Sequence, residues 1–316
     1  MGKWSTMVFA SCLCIVLAFS VSAEAAVLLQ ENFDDTNFSS RGWYDPDGAG
    51  GAVSLTERIP GSTGSFQCTM AVNSTGCAGG TLKRHPFTAT DRMFVSVWIK
   101  LSSNWVGSQV DYHPHIFYIT SDLDGAYDGF SCSWLDTYIE IGTGGYIRSS
   151  IQDSRSINTG SITTGSAMYN PSPATENRSA AGCNGTKGSV GLPDCYSSSC
   201  PAGWTNFREF RSGTGYFQDG NWHKLEAYFQ MNTISGGVGQ ADGILELWYD
   251  GARIISYSNV VYRTGQHPTM MWNKIGFSPY IGSGSPVLQT MWVDNLTVDT
   301  SRPGLRPNPP TNLQVP

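Results

Sequence analysis

The sequence predicts an all-β fold: a two-sheet antiparallel sandwich of jelly-roll type with a long disulfide-stapled insertion. Three observations lead there. Apolar residues alternate with polar ones at a period of two, in segment after segment, between breaks of Gly, Asn, Asp and Ser. No stretch repeats at the three-to-four spacing of an amphipathic helix. Of the 316 residues only 14% are charged, while 12% are aromatic and 36 are Gly, a balance typical of extracellular β-sandwiches.

The ends of the chain bound the domain. Lys3, the apolar run Met7 to Val21 and the small residues Ser22, Ala23, Ala25 and Ala26 have the order of a signal peptide, here residues 1–25. The run is too short to span a bilayer comfortably, and no later stretch is apolar enough. The expectation is a secreted or cell-surface protein, monomeric, with no membrane span once the leader is removed. The sandwich domain is then residues 26–300. Residues 301–316 hold five prolines and read as an extended linker or tail.

Nine segments carry the alternation: 93–101, 115–120, 137–141, 146–152, 222–231, 243–249, 252–257, 271–279 and 290–298. Tyr249-Asp250-Gly251-Ala252 between two of them is a hairpin signal, because Asp-Gly tolerates the positive φ angles of a tight turn. Such a series of strands suggests a jelly roll. Residues 154–220 break the pattern. They are rich in Gly, Ser, Thr and Asn and lack periodicity, and a loop this long is usually functional or disordered. Their cysteines argue for order, as an insertion stapled over one end or face of the sandwich.

Six cysteines follow the leader: Cys68, Cys77, Cys132, Cys183, Cys195 and Cys200. An even number in a secreted chain reads as disulfides, with fifteen possible connectivities. The expected pairs are the local ones, Cys68 with Cys77 and Cys195 with Cys200, leaving Cys132 with Cys183. No Cys-x-x-Cys pair or zinc-spaced His accompanies them.

The net charge of −6 comes without a basic patch to neutralise phosphates, which sets nucleic acid aside. A different partner is written on the strand faces. On 222–232, Leu225, Ala227, Phe229 and Met231 form the core side, and Lys224, Glu226, Tyr228, Gln230 and Asn232 the polar side. Tyr146, Arg148, Ser150 and Gln152 share a face, as do Tyr138 and Glu140, and Ser96, Trp98 and Lys100. Aromatic planes stack on sugar rings, and amides, carboxylates and Arg bond the hydroxyls, so these faces predict a polysaccharide site. Gln109, Asp111, His113, His115 and Phe117 would share another face of a regular strand, which Pro114 confines to an edge, start or bulge. His113 and His115 at i and i+2 can reach one ligand, or act as acid and base near neutral pH.

Carboxylates sit near both ends. Glu31 and Asp34 follow the first strand and Asp294 lies in the last. A jelly roll places its first and last strands side by side, so the three are candidate oxygen ligands for a structural Ca2+. No organic cofactor is expected.

Glu31-Asn32-Phe33, Trp222-His223-Lys224-Leu225-Glu226-Ala227-Tyr228-Phe229, Asp242-Gly243-Ile244-Leu245-Glu246-Leu247-Trp248-Tyr249-Asp250-Gly251 and Trp292-Val293-Asp294-Asn295-Leu296 together resemble the concanavalin A-like lectin and glucanase superfamily, nearest to its laminin G-like modules and jelly-roll polysaccharide lyases. The likeness covers most of residues 27–300 outside the insertion. The superfamily's glucanases use a Glu-x-Asp-x-x-Glu strand, which is absent, so glycoside hydrolysis by that route is not expected. The lyases abstract the proton beside a uronic carboxylate with Tyr or His, while Arg, Gln or Asn neutralise the carboxylate. The resemblance thus implies Tyr228, His113, His115 and Arg148 as reacting groups. It adds Gln230 and Asn232 as substrate-binding groups, to which the strand faces themselves contribute Trp98, Lys100, Tyr138, Glu140, Tyr146, Gln152 and Glu226. Arg208-Glu209-Phe210-Arg211 is similar to a lyase Arg-Glu-x-Arg strand. Gln109-Val110-Asp111 lacks the His of a Gln-x-His strand, and Tyr228-Phe229-Gln230 has Gln where a Tyr-Phe-Lys strand has Lys.

Three functions stand open on these observations: a carbohydrate-binding protein, a lyase of a uronic-acid glycan, and a non-catalytic structural or adhesive surface protein. One groove gathering Tyr, His and Arg favours the lyase, and a shallow aromatic platform favours binding. A face filled by the insertion favours structure.

Overall fold

The computed structural model describes residues 26–110, 113–130, 133–153, 182–183, 195–196 and 209–301. The expected signal peptide, the tail beyond 301, most of the insertion, and Cys132 and Cys200 lie outside them, as do the side chains of Cys183 and Cys195.

In chain order the strands are β1 (Val27–Glu31), β2 (Asp47–Gly48), β3 (Ala52–Ser54), β4 (Ser65–Met70), β5 (Gly80–Thr81), β6 (His85–Thr90) and β7 (Arg92–Leu101). Then come β8 (His115–Ser121), β9 (Asp136–Ile141), β10 (Ile147–Asp153), β11 (Gly182–Cys183), β12 (Cys195–Tyr196) and β13 (Glu209–Arg211). The last are β14 (Trp222–Gln230), β15 (Ile234–Ser235), β16 (Val238–Gly239), β17 (Gly243–Tyr249), β18 (Ala252–Val260), β19 (Trp272–Tyr280) and β20 (Gln289–Asp299). A 3-10 turn forms at Phe38–Arg41, and among the described residues no helix is long and apolar enough to cross a membrane.

The strands form a jelly-roll sandwich. One sheet runs β18-β17-β14-β7-β20-β4-β3, with β1 also on β20, and the other runs β12-β11-β10-β9-β8-β19-β6, with β13 also on β10. Every segment expected as a strand is one. The first and last strands do pair, antiparallel, with Glu31 opposite Leu296. The insertion is shorter than expected at its end: Glu209–Arg211 joins the second sheet beside β10, because Phe210 is an apolar residue between two charged ones and fills the core.

Alternation decides what the two sheets hide from water. Val95, Val97 and Ile99 of β7 and Leu225, Ala227 and Phe229 of β14 face Phe117 and Ile119 of β8 and Ile139 and Ile141 of β9 across one core. Phe66 and Phe277 meet edge to face at 4.7 Å, and Phe117 lies 5.2 Å from Phe277, so aromatic contacts tie the sheets together. Cys68 and Cys77 form the expected disulfide.

The hairpin at Tyr249–Ala252 forms as its sequence requires. Asp250 and Gly251 have φ of 48° and 80°, the signature of a turn that matches strand twist. The Asp250 carboxylate accepts from the Lys224 amide at 2.8 Å and bonds His223 Nδ1 at 2.7 Å. His223 Nε2 meets Asp219 Oδ1 at 2.8 Å, and the ring stacks on Tyr249 at 4.7 Å. One imidazole therefore pins the β13–β14 connection to the β17–β18 hairpin. Burial lowers the His223 pKa, but the hydrogen bonds and charges of Asp250 and Asp219 outweigh it and raise it above the usual imidazole range.

A histidine raised on folding contributes stability that is complete below its unfolded pKa of about 6.5 and is lost as pH rises through the folded value. The melting temperature is therefore expected to fall between pH 6 and pH 9, and the His223→Gln variant to show a flatter profile over that range. Equal slopes for both proteins in a thermal-shift series would contradict the clamp.

Candidate functional site

The outward face of the second sheet carries the chemistry. Register places Arg211, Arg148, Glu140, His115 and Tyr280 in one row across β13, β10, β9, β8 and β19. Strands lie about 4.8 Å apart, so the row is about 19 Å long. A second row holds Glu209, Ser150, Tyr138, Tyr118 and Gly276.

Glu140 is the centre of the first row. It is 1% exposed, and its two oxygens meet His115 Nδ1 and Arg148 Nε. Burial would raise its pKa, but the Arg148 charge, reinforced by His115, holds it down at about 2. Arg148 is 4% exposed and also reaches Glu209 Oε1 at 2.8 Å. Burial works against its charge, the two carboxylates overcome it, and its pKa rises. Arg211 is exposed, with its guanidinium 3.7 Å above the centre of the Tyr146 ring.

The other end of the row is aromatic. The His115 ring is stacked between Tyr138, at 4.5 Å, and Tyr280, at 6.2 Å. His113 meets His115 edge-on at 4.6 Å and Tyr280 at 5.4 Å. His113 is nearly buried, and desolvation first, then the neighbouring His115, pushes its pKa down to about 3. It is neutral at physiological pH, and its Nδ1 accepts the Gly282 amide at 3.2 Å. Gly282 lets the ring in, because a Cβ there would stand 2.5 Å from His113 Cε1. Tyr280 is 41% exposed and brings its phenol to the surface of this group. Beneath the second row, Asp136 is fully buried, and burial raises its carboxyl pKa far above the usual range. It stands on the same face as Tyr138 and Glu140.

The structure thus brings together His113, His115, Tyr138, Glu140, Tyr146, Arg148 and Gln152 of the residues expected from the sequence. It places others elsewhere. Tyr228, Glu226, Gln230, Trp98 and Lys100 lie on the outward face of the first sheet, on β14 and β7, so the whole core separates them from the histidines. Tyr228 is 4% exposed and donates to Gln230 Oε1 at 2.9 Å. It cannot share a substrate with His113. Asn232 is fully buried. Its amide oxygen accepts from the Tyr262 and Arg263 amides and its nitrogen donates to Arg263 O, which makes it a clamp on the turn after β18 rather than a sugar contact.

The expected calcium ligands also have other work. Glu31 accepts from Arg41 Nε, Trp43 Nε1 and the Phe33 amide. Asp34 bonds Thr63, and Asp294 accepts from the Ile59 amide and Ser62 Oγ. Calcium requires six to eight oxygen ligands, whereas Arg41 already supplies the positive charge at Glu31. The three do not fit a calcium site, and no group of three or more His, Cys, Asp or Glu among the described residues could hold a metal.

Tyr280 was not visible in the sequence as a site residue. A register shift between Phe277 and Tyr280, at a Pro that cannot donate to the ladder, breaks the alternation that assigns faces. Tyr118 is on β8 beside His115, but a shift between His115 and Phe117 hides it in the same way.

No protein-family model matches the chain, and no curated protein matches its sequence. Solved structures do match in fold. An alginate lyase from Chlorella virus superposes with a TM-score of 0.52 at 14% identity, over 87% of this chain and 99% of the other. The PL-14 alginate lyase of Aplysia kurodai gives 0.50 at 14% identity, over 87% and 100%. The chain shares the jelly-roll fold of these proteins.

Gly282→Ala is expected to push the His113 ring out of its niche and return its pKa from about 3 towards the ordinary value of about 6.5. Ring-proton NMR titration measures this, and an unchanged titration would contradict the packing.

Proposed function

We propose that the protein is a polysaccharide lyase that cleaves a uronic-acid glycan by β-elimination at the Tyr280 end of this face. The observation that carries the reading is the row itself: an exposed phenol beside a neutral imidazole, backed by a buried carboxylate–guanidinium pair. The fold shared with two alginate lyases is consistent with it.

Elimination needs positive charge near the sugar carboxylate, a base for the adjacent C–H and an acid for the departing glycosidic oxygen. Arg148 and Arg211 supply positive charge along the row. His115, with Nδ1 turned to Glu140, keeps Nε2 to accept the proton, while His113, its Nδ1 held by the Gly282 amide, packs the group in place. Tyr280 is within ring contact of both histidines and supplies a hydroxyl for the leaving oxygen. The C–H proton passes to the protein, the electron pair forms a carbon–carbon double bond, and the C–O bond breaks with protonation of the oxygen. Glu140 touches no sugar in this reading. It fixes His115 and keeps Arg148 charged where burial would otherwise penalise it. Burial of Tyr138, Glu140 and Arg148 speaks against a purely shallow sugar platform on this sheet.

Polyglucuronate, polymannuronate, polyguluronate and polygalacturonate are the substrates to try, following the ultraviolet absorbance of the unsaturated product. At least one should give a signal. Tyr280→Phe should lower kcat by roughly 10²–10⁴ with little change in KM, the usual size of a general acid–base contribution. No absorbance from any of the four, or full activity in Tyr280→Phe, would overturn the reading.

A further inference from the structure

The outward face of the first sheet is a second, separate surface. Trp222 of β14 and Trp292 of β20 stand on either side of Lys100 of β7 in one register row. Two strand spacings put them about 10 Å apart. Trp98 lies two residues along β7 from Lys100, and Trp248 of β17 lies opposite Glu226 of β14. All four tryptophans are partly exposed. Among the described residues the indoles of Trp98, Trp222 and Trp248 have neither a hydrogen-bond partner nor a ring partner. Trp292 donates from Nε1 to Gln67 at 3.2 Å, with Lys100 Nζ 5.7 Å from its ring centre.

The charges on this face cancel locally. Lys100 pairs with Glu57 at 2.7 Å, Lys224 with Glu226 at 2.7 Å, and Arg253 with Glu246 at 2.8 Å. On the other sheet, by contrast, the Arg211 guanidinium is exposed. Here neutralised side chains fill the spaces between indoles, with Gln67, Thr69 and Thr290 at one edge. Large flat apolar groups spaced along a strand-ordered surface, with hydrogen-bonding groups between them, match the apolar faces and hydroxyls of an extended sugar chain.

We infer that this face binds a neutral polysaccharide, on the side of the sandwich opposite the uronan-cleaving row. The Trp222–Trp292 spacing suits stacking on every second ring of one extended chain. A protein with both surfaces would hold a neutral wall polymer while the other sheet works on an acidic one. The surface does not depend on the lyase reading, because its ligand and its residues are different.

Affinity electrophoresis through gels containing hydroxyethyl cellulose, glucomannan or xylan tests it. Retardation is expected in at least one gel. Trp98→Ala/Trp222→Ala should raise the apparent dissociation constant by about tenfold or more, as loss of two stacking planes requires, while Tyr280→Phe should be retarded like the parent. Trp222→Phe and quenching of tryptophan fluorescence in the parent give the same answer should the double variant fold poorly. No retardation in any of the three gels, retardation that survives both tryptophan variants, or a dimer that Trp222→Phe dissociates would overturn the inference.

Discussion

Glu140 is the constraint on which the described site is built. A carboxylate at 1% exposure is tolerated only with compensating charge and hydrogen bonds. Arg148 and His115, its register partners on either side, supply both. The pairing fixes the direction of the guanidinium and of the imidazole together. His115 in turn is the plate against which Tyr138 and Tyr280 stack, and His113 closes the group edge-on. Remove the charge at Glu140 and Arg148 is left buried, with only the partly exposed Glu209 to answer it.

The sandwich turns strand alternation into two chemistries. The same period of two that fills the core also lines two outward faces, and the core keeps them apart. One face concentrates buried ionised groups and exposes a phenol and a guanidinium at its ends. The other spreads partly exposed indoles among paired charges. The difference lies in what reaches the surface: a guanidinium and a phenol on the first, and indoles among paired charges on the second.

Much of this architecture is legible in the sequence, for identifiable reasons. Alternation located the strands, Asp250-Gly251 located a hairpin, and the pairing of the first and last strands followed from the jelly-roll expectation. His115, Tyr138, Glu140 and Arg148 were legible as sharing a face because each is a polar or aromatic group on an alternating strand, and His113 because it stands two residues before His115. Tyr228 was misplaced for a reason that alternation cannot mend. Periodicity says which residues share the face of a strand, not which sheet the strand enters, and β14 sits beside β7 rather than β9. Tyr280 was missed because the irregularity at Pro279 resets the period. The pairing of Glu31 with Arg41, ten residues on, was not legible, because strand alternation says nothing of the turn that brings them together.

A double-mutant cycle on Glu140→Gln and Arg148→Met, read by chemical denaturation with uronan cleavage followed in parallel, tests the central claim most directly. Each single variant should lose about 3–5 kcal/mol, the cost of stranding one member of a buried pair. The double variant should be less destabilised than their sum while remaining inactive. Additive losses, or cleavage that persists in Glu140→Gln, would show that the pair does not organise the site.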